Sequence, residues 1–255
     1  MRKREIGKVR RFFIAKDAIT QEGARISGTD AHHLRHVLRL ERGEKIILVA
    51  EGREYLAEIK DFAEDHVFCH LHETYPGRGE PPVEVTLLQG MPKGEKLELV
   101  IQKAVEVGVS RIVLLETERS VVKLDPVKAE QRLKRWRRIA TEAAKQCGRS
   151  VVPPVEGIYK LPLWLEKGEM AADALFLVPW ENAQQPGIRE ALREHHQARQ
   201  VCILIGPEGG LTSSEVETAK KFGGLPVTLG PRILRTETAA IVAPALVLYQ
   251  AGDLN

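Results

Sequence analysis

The sequence predicts an α/β protein in which a mostly parallel, helix-covered sheet follows a smaller β-rich domain. Three observations predict this. Beyond residue 82, continuous apolar runs alternate with helical segments, as expected of parallel strands buried on both faces. Before residue 75 the strand candidates surround only one short helix. Between the two regions lies Tyr75-Pro-Gly-Arg-Gly-Glu-Pro-Pro82. Its prolines and glycines can continue neither a helix nor a central strand. The expected division is residues 1–75, a linker at 76–82, and residues 83–255.

In chain order, Arg11-Phe-Phe-Ile-Ala15 is the first strand candidate. Thr29 or Asp30 can cap a helix over Ala31 to Leu38, with Leu34, Val37 and Leu38 on its apolar side. Lys45 to Ala50 and Arg53 to Lys60 flank Glu51-Gly52 as a hairpin, and Asp65 to His72 is a further strand. In the second region Val83 to Gln89 reads as a strand. Leu97, Val100, Ile101, Ala104, Val105 and Gly108 then recur at helical spacing. Arg111 to Leu115 is a buried strand. Lys128 to Cys147 is a long helix with Leu133, Trp136, Ala140, Ala143, Ala144 and Cys147 inward, stopped by Gly148. Ala174 to Val178, Val201 to Ile205 and Pro226 to Leu229 are three more strands, and Ala239 to Tyr249 is an apolar final helix.

Composition narrows the class. Apolar residues make up 43% of the chain and charged residues 29%, enough apolar surface for a sizeable core and against disorder. No apolar run reaches membrane-helix length, and the basic start lacks the apolar segment of a secretory signal. Cys69, Cys147 and Cys202 form no ligand pair or disulfide framework, which points to a reduced, cytoplasmic protein. The formal charge of +3 conceals two basic segments, residues 1–11 and 128–149, set against an acidic remainder. That segregation suggests a polyanionic partner, although solvated helix faces give the same pattern.

Two loops carry the chemical signal. Ile205-Gly-Pro-Glu-Gly-Gly-Leu211 leaves a strand and enters a helix through Thr212-Ser-Ser-Glu215, the spacing of a capping box. Its glycines permit close backbone approach, and ligands of open α/β sheets bind at the strands' carboxyl ends. Leu229-Gly-Pro-Arg-Ile-Leu-Arg-Thr-Glu-Thr238 leaves the next strand, with Thr236 a candidate N-cap and Glu237 a favourable first-turn acid. Neither loop has a dinucleotide or NTP fingerprint, and no serine sits in a hydrolase elbow. His32 and His36 stand four apart on a helix, but no supporting ligand set accompanies them, so no metal is expected. Trp136, Trp164 and Trp180 read as core or pocket walls.

With IGPEGGL at 205–211 and LGPRILRTETAA at 229–240, the chain resembles the SPOUT superfamily of methyltransferases, and within it the small-subunit methyltransferase E family. That family methylates uracil N3 in 16S rRNA with S-adenosylmethionine (SAM). The resemblance extends to Arg10-Arg-Phe-Phe13, His33 to Arg39, Lys93, Lys96, Gln102 to Gly108, Glu118-Arg-Ser120 and Glu142 to Arg149. The chain departs from the family's pattern in an extra basic stretch at about residues 1–9.

The resemblance implies a PUA-like, β-rich RNA-binding barrel ahead of an α/β domain tied in a deep trefoil knot, and a homodimer. It implies a SAM pocket of Leu177, Val178, Pro179, Leu204, Ile205, Gly206, Pro207, Glu208, Gly209, Gly210, Leu229, Gly230, Ile233, Leu234 and Arg235. Arg232 or Arg235 would stabilise a developing uracilate, and Glu208 or Glu237 would accept the N3 proton unless water does. Arg10, Arg11, Arg35, Arg39, Lys93, Arg119, Arg135, Arg138 and Arg149 would bind RNA, as 16S rRNA alone or within the small ribosomal subunit. Two other readings fit the same residues: methylation of another rRNA or tRNA position, or a non-catalytic RNA-binding module.

Overall fold

The computed structural model describes residues 10–120 and 125–254. The basic side chains Arg2, Lys3, Arg4 and Lys8 lie outside the described residues. The chain divides into two compact units, residues 1–80 with 144–151, and residues 81–143 with 152–255.

The first unit holds β1 (Arg11–Phe13), β2 (Ile19–Thr20), β3 (Gly23–Ser27), β4 (Lys45–Ala50), β5 (Arg53–Phe62) and β6 (His66–Pro76). They form one sheet in the order β1-β4-β5-β6-β3-β2. The β1–β4 pair is parallel and the others antiparallel. Its core joins Phe12, Ala24, Ile26, Leu34, Ile46, Leu48, Ala57, Ile59, Val67 and Cys69. Ile47 and Val49 are buried on the opposite face with Leu56, so β4 is covered on both sides. The short helix α1 (Gly28–His32) begins earlier than the expected cap, and its N-cap residue, Ser27, makes no side-chain capping bond. It runs into a π-helical turn at His33–Val37, so the expected amphipathic helix changes pitch midway.

Residues 77–80, read from sequence as a linker, are bonded into this unit. Arg78 N–H donates to Ser150 Oγ at 2.7 Å. The Glu80 carboxylate accepts from the backbone N–H groups of Ser150 and Val151, each at 2.9 Å. Charged side chains thus tie down a segment whose prolines and glycines suggested freedom.

The second unit contains β7 (Glu84–Gly90), α2 (Lys96–Val107), β8 (Arg111–Glu116), β9 (Val155–Lys160), α4 (Leu161–Glu166), β10 (Leu175–Pro179), α5 (Ile188–Glu194), β11 (Gln200–Ile205), α6 (Ser213–Lys221), β12 (Gly224–Val227) and α7 (Thr236–Gln250). The helix α3 (Pro126–Cys147) precedes β9. The sheet order is β12-β10-β11-β7-β8-β9, and every pairing is parallel. One face packs Leu88, Val113, Phe176, Val178 and Leu204 against Trp164 of α4 and Val216 and Ala219 of α6. The other receives α7, which packs on β7, β11 and α2. Among the described residues no helix is long and apolar enough to cross a membrane.

Candidate active site

The carboxyl ends of β10, β11 and β12 converge on a cavity of about 480 Å³. Its walls come from the loop after β11, the loop after β12, the Pro179-Trp180-Glu181 segment, Lys96 at the start of α2, and Thr236 and Ala239 of α7.

Local chemistry explains the shape. The loop after β11 ends in the expected capping box, where Thr212 Oγ1 accepts the Glu215 N–H and Glu215 Oε2 accepts the Thr212 N–H. Inside the loop, a Cβ on Gly206 would lie 2.8 Å from the Gly210 carbonyl carbon and 2.9 Å from Leu211 N. Gly210 has φ +70°, and a Cβ there would lie 2.6 Å from Glu181 Oε1. Gly206 is therefore required by the loop's own backbone, and Gly210 by its left-handed φ, since the Glu181 carboxylate could swing aside. Thr236 Oγ1 donates to Gly206 O at 2.6 Å and accepts from Gln89 Nε2 at 3.1 Å. The N-cap of α7 is Arg235, not Thr236 as expected. The Thr236 hydroxyl is spent on joining α7 to the loop. Trp180 Nε1 donates to Leu211 O at 3.3 Å, fixing a wall.

Charge gathers at the rim. Lys96 Nζ lies 3.1 Å from Glu208 Oε1 and 3.5 Å from Glu237 Oε2. The Lys93 N–H donates to both Glu208 oxygens, at 3.1 and 3.2 Å. Burial alone would raise Glu208, but its own backbone N–H, the Lys96 ammonium and the Lys93 N–H outweigh that. The carboxyl is held below its ordinary value. The Glu208 hydrogen bond, helped by the charges of both carboxylates, raises Lys96. Arg232 and Arg235 are exposed cavity-lining cations that make no ion pair among the described residues.

Of the residues expected to hold SAM, Pro179, Ile205, Gly206, Pro207, Glu208, Gly209, Gly210, Leu229, Gly230, Ile233, Leu234 and Arg235 line this cavity. Leu177, Val178 and Leu204 do not: they are fully buried in mid-strand, with side chains spent on the core. Of the two candidate proton acceptors, Glu208 lines the cavity, whereas Glu237 stands behind Lys96 and does not. Sequence reasoning did not assign Lys96, Trp180, Glu181, Thr228 or Ala239 to the pocket. A partial signal existed in Lys96 and Trp180, which stood out as a cluster residue and as a potential wall.

The expected RNA-binding residues separate into two groups. Arg10, Arg39, Lys93, Arg119 and Arg138 are exposed. Arg135 is exposed but paired with Glu98 at 2.8 Å, and half-buried Arg35 stacks over Phe62 and donates to Ala63 O. Arg11 and Arg149 are corrections. Arg149 is buried and paired with Glu80 at 2.7 Å. Arg11 pairs with the fully buried Glu54 at 3.1 Å, a carboxylate also held by Arg78 at 3.1 Å and the Ser150 hydroxyl at 2.9 Å. Counting charge cannot separate a solvated arginine from one neutralising a buried acid.

That pairing gives a testable consequence. Arg11→Ala should cost about 2 kcal/mol of stability, less than the usual loss for a broken buried pair because Arg78 and Ser150 stay. Burial alone would raise Glu54, but its hydrogen bonds from Arg11 and Ser150 and the two guanidinium charges hold it below its ordinary value. Its stabilising contribution is therefore present at neutral pH and lost as pH falls through that depressed value. Denaturant melts across pH check both statements, and an unchanged midpoint in Arg11→Ala would remove the structural role.

Comparison with known proteins agrees with this architecture. Residues 79–248 match the model of the RNA methyltransferase domain, and residues 26–71 that of the RNA methyltransferase PUA domain. Ribosomal RNA small subunit methyltransferase E of Bacillus subtilis is 36% identical, over 90% of this chain and 91% of its own. The protein of that name from Synechocystis is 33% identical, over 93% of this chain and 76% of its own. The crystal structure of the Neisseria gonorrhoeae enzyme of that name, bound to SAM, superposes with a TM-score of 0.81 at 31% identity, covering 93% of this chain and 96% of that one. A Legionella pneumophila protein in complex with SAM gives the same TM-score at 32% identity, covering 94% and 97%. With a cavity built from its two glycine-bearing loops and likeness along most of its length, the chain belongs to the ribosomal RNA small subunit methyltransferase E family.

Proposed function

We propose that this chain is a SAM-dependent 16S rRNA methyltransferase that converts a uridine of small-subunit RNA to N3-methyluridine, acting as a homodimer. The observation that carries the reading is the cavity at the carboxyl ends of β10, β11 and β12, enclosed by the Gly206–Leu211 and Leu229–Arg235 segments.

The pocket fits SAM on its own chemistry. Gly206 and Gly210 allow the tight turn that shapes one wall of the cavity, a turn that a Cβ on Gly206 would break against the loop's own backbone. Of the two carboxylates on the walls, Glu208 is paired with Lys96, so Glu181 is the one placed to meet the sulfonium or ammonium of the cofactor. When bound, SAM supplies an electrophilic methyl group.

The protein's work is then on the uracil. N3 lies on the pairing edge, so the base must be unpaired or flipped to reach the pocket. Holding N3 in line with the methyl group supplies much of the rate. Arg232 and Arg235, unpaired at the rim, stabilise the oxygens of the uracilate as the N3 proton leaves. Glu208 is ionised and can take that proton to solvent. Its lowered basicity makes it a weak general base, so catalysis rests on the arginines. The first unit, folded as a PUA-like barrel, and the exposed cations Arg10, Arg39, Lys93, Arg119 and Arg138 engage the RNA.

The deep trefoil knot belongs to the same reading. In support, β12 pairs with β10 and not with β11, which precedes it in the chain. The chain then returns as α7 onto β7 and β11, with Thr236 bonded on one side to Gln89 and on the other to Gly206.

Mass mapping of 16S rRNA from a strain lacking this gene tests the function. One uridine should lose a methyl group and regain it from the purified chain with SAM. Arg232→Ala should lower kcat by about 100-fold, the usual loss for one stabilising donor, with SAM affinity kept. A methyl group missing from a different nucleotide would move the activity there. Unchanged RNA, with no SAM bound by calorimetry, would leave only a binding module.

A further inference from the structure

The capping carboxylate of α6 does more than cap. Glu215 is buried, and its two oxygens accept from two separate segments: Oε2 from the Thr212 N–H at 2.9 Å and Oε1 from the Glu118 N–H at 2.8 Å. Helix capping uses only the first. The second reaches a turn 97 residues away in sequence, after β8. That turn is fastened internally, with Thr117 N–H donating to Ser120 Oγ at 3.2 Å and the two hydroxyls 2.8 Å apart. Between them, Arg119 sends its guanidinium back to Gly209 O. Its stem lies against Gly209, where a Cβ would meet Arg119 Cβ at 3.1 Å and Cδ at 3.2 Å. The contacts close a ring that runs from Glu215 to the Glu118 N–H, through Arg119 to Gly209, along the chain to Thr212, and back to Glu215.

We propose that Glu215 is a positioning residue that, through the Glu118 N–H, holds Arg119 at the edge of the cavity as a fixed cation for the RNA backbone. The inference rests on the RNA methyltransferase reading above. Among the described residues, Arg119 uses one guanidinium nitrogen, on Gly209 O, which leaves other N–H groups to meet a phosphate. A cation held by a ring also loses less side-chain entropy on binding than a free arginine.

The test is a double-mutant cycle on the full chain, reading affinity for 16S rRNA transcribed in vitro, with SAM affinity by calorimetry as a second readout. Arg119→Ala and Glu215→Ala should each weaken RNA binding by about tenfold, the size of one charge-assisted hydrogen bond, and the double variant should be no worse than either. Thr212→Ala is the control for mere helix capping. It removes the other half of the capping box, where Thr212 Oγ1 accepts the Glu215 N–H at 3.2 Å, and leaves the Glu118 arm in place. It should melt earlier yet bind RNA as the parent does. Glu215→Gln keeps the side chain's size but offers a donor where one N–H needs an acceptor, so it should reproduce part of the loss if Glu215→Ala proves too unstable to measure. Additive losses in the cycle, or equal loss in Thr212→Ala, would overturn the positioning role. Full RNA affinity in a folded Glu215→Ala or Glu215→Gln chain would do the same while leaving the functional reading intact. Failure of the unaltered chain to bind RNA would overturn both.

Discussion

Replacing Gly206 by alanine should remove SAM binding and leave the chain folded. The added Cβ would press on the Gly210 carbonyl carbon at 2.8 Å and on Leu211 N at 2.9 Å. These are backbone atoms within the same tight loop, so they cannot swing aside as the end of a flexible side chain can. The loop must open, and its start is tethered by the Thr236 hydroxyl on Gly206 O. Losing about two hydrogen bonds to the cofactor, at ~1.4 kcal/mol each, would lower affinity on the order of 100-fold, which calorimetric titration should find. The strain itself is in the range of ~1–3 kcal/mol, which lowers the melting temperature without unfolding the protein. Gly209 makes the contrast. From sequence alone, Gly209→Val is the natural way to block the pocket, because any loop glycine there looks like room for a ligand. In the structure a Cβ at Gly209 would meet Arg119 Cβ at 3.1 Å and Cδ at 3.2 Å, so Arg119 must give by a few tenths of an ångström while the loop's own backbone stays in place. Gly209→Ala should therefore spare SAM binding and weaken RNA binding, through Arg119. A Gly206→Ala chain that binds SAM like the parent would place the cofactor outside this loop.

The contrast between the two glycines shows which parts of the site the sequence reveals. The two loops were legible because proline and glycine interrupt apolar strands at the ends where α/β sheets bind ligands. The capping box was legible because its two members, Thr212 and Glu215, lie three residues apart in the chain. Glu181 and Ala239 were not, because they reach the cavity from the end of β10 and from α7, whose neighbourhood is set by the sheet order. The same distinction holds for the fold. Strands buried on both faces, such as β10 and β11, announce themselves as apolar runs. The edge strand β9 does not: Val155-Glu-Gly-Ile-Tyr-Lys160 has one fully buried residue and a central glycine. The short β3 begins at Gly23, whose positive φ hides a strand start behind a turn residue. Arg11 and Arg149 show the limit for charge, since their acids Glu54 and Glu80 lie 43 and 69 residues away.

A charge placed on the outer face of α7 should split the proposed dimer. The helix is apolar nearly all round, and such a helix needs cover on every side. Its own chain supplies part of that cover, burying Ala239, Ala240, Ala243, Pro244, Val247 and Leu248. The small residues Ala239 and Ala243 are therefore used within the chain, whereas Ala245 is not fully covered. Ile241, Val242 and Ala245 stay half-buried, while Leu246 is 37% exposed and Tyr249 63% exposed. A second copy covering this face would bury side chains worth about 1.5–3 kcal/mol each when fully enclosed. Leu246→Asp tests this cleanly, because in a single chain the new carboxylate would still reach water and the fold should hold. In a dimer it would be an unpaired charge in an apolar interface, costing several kcal/mol. Light scattering at micromolar concentration should find the parent at twice the mass of one chain and the variant at one. Methyl transfer should fall with dissociation if the pocket, whose wall includes Ala239 of the same helix, is completed or stiffened across the interface. A parent that scatters as a single chain with full SAM affinity would remove the dimer from the proposal. A monomeric Leu246→Asp chain with undiminished turnover would show that each cavity works alone.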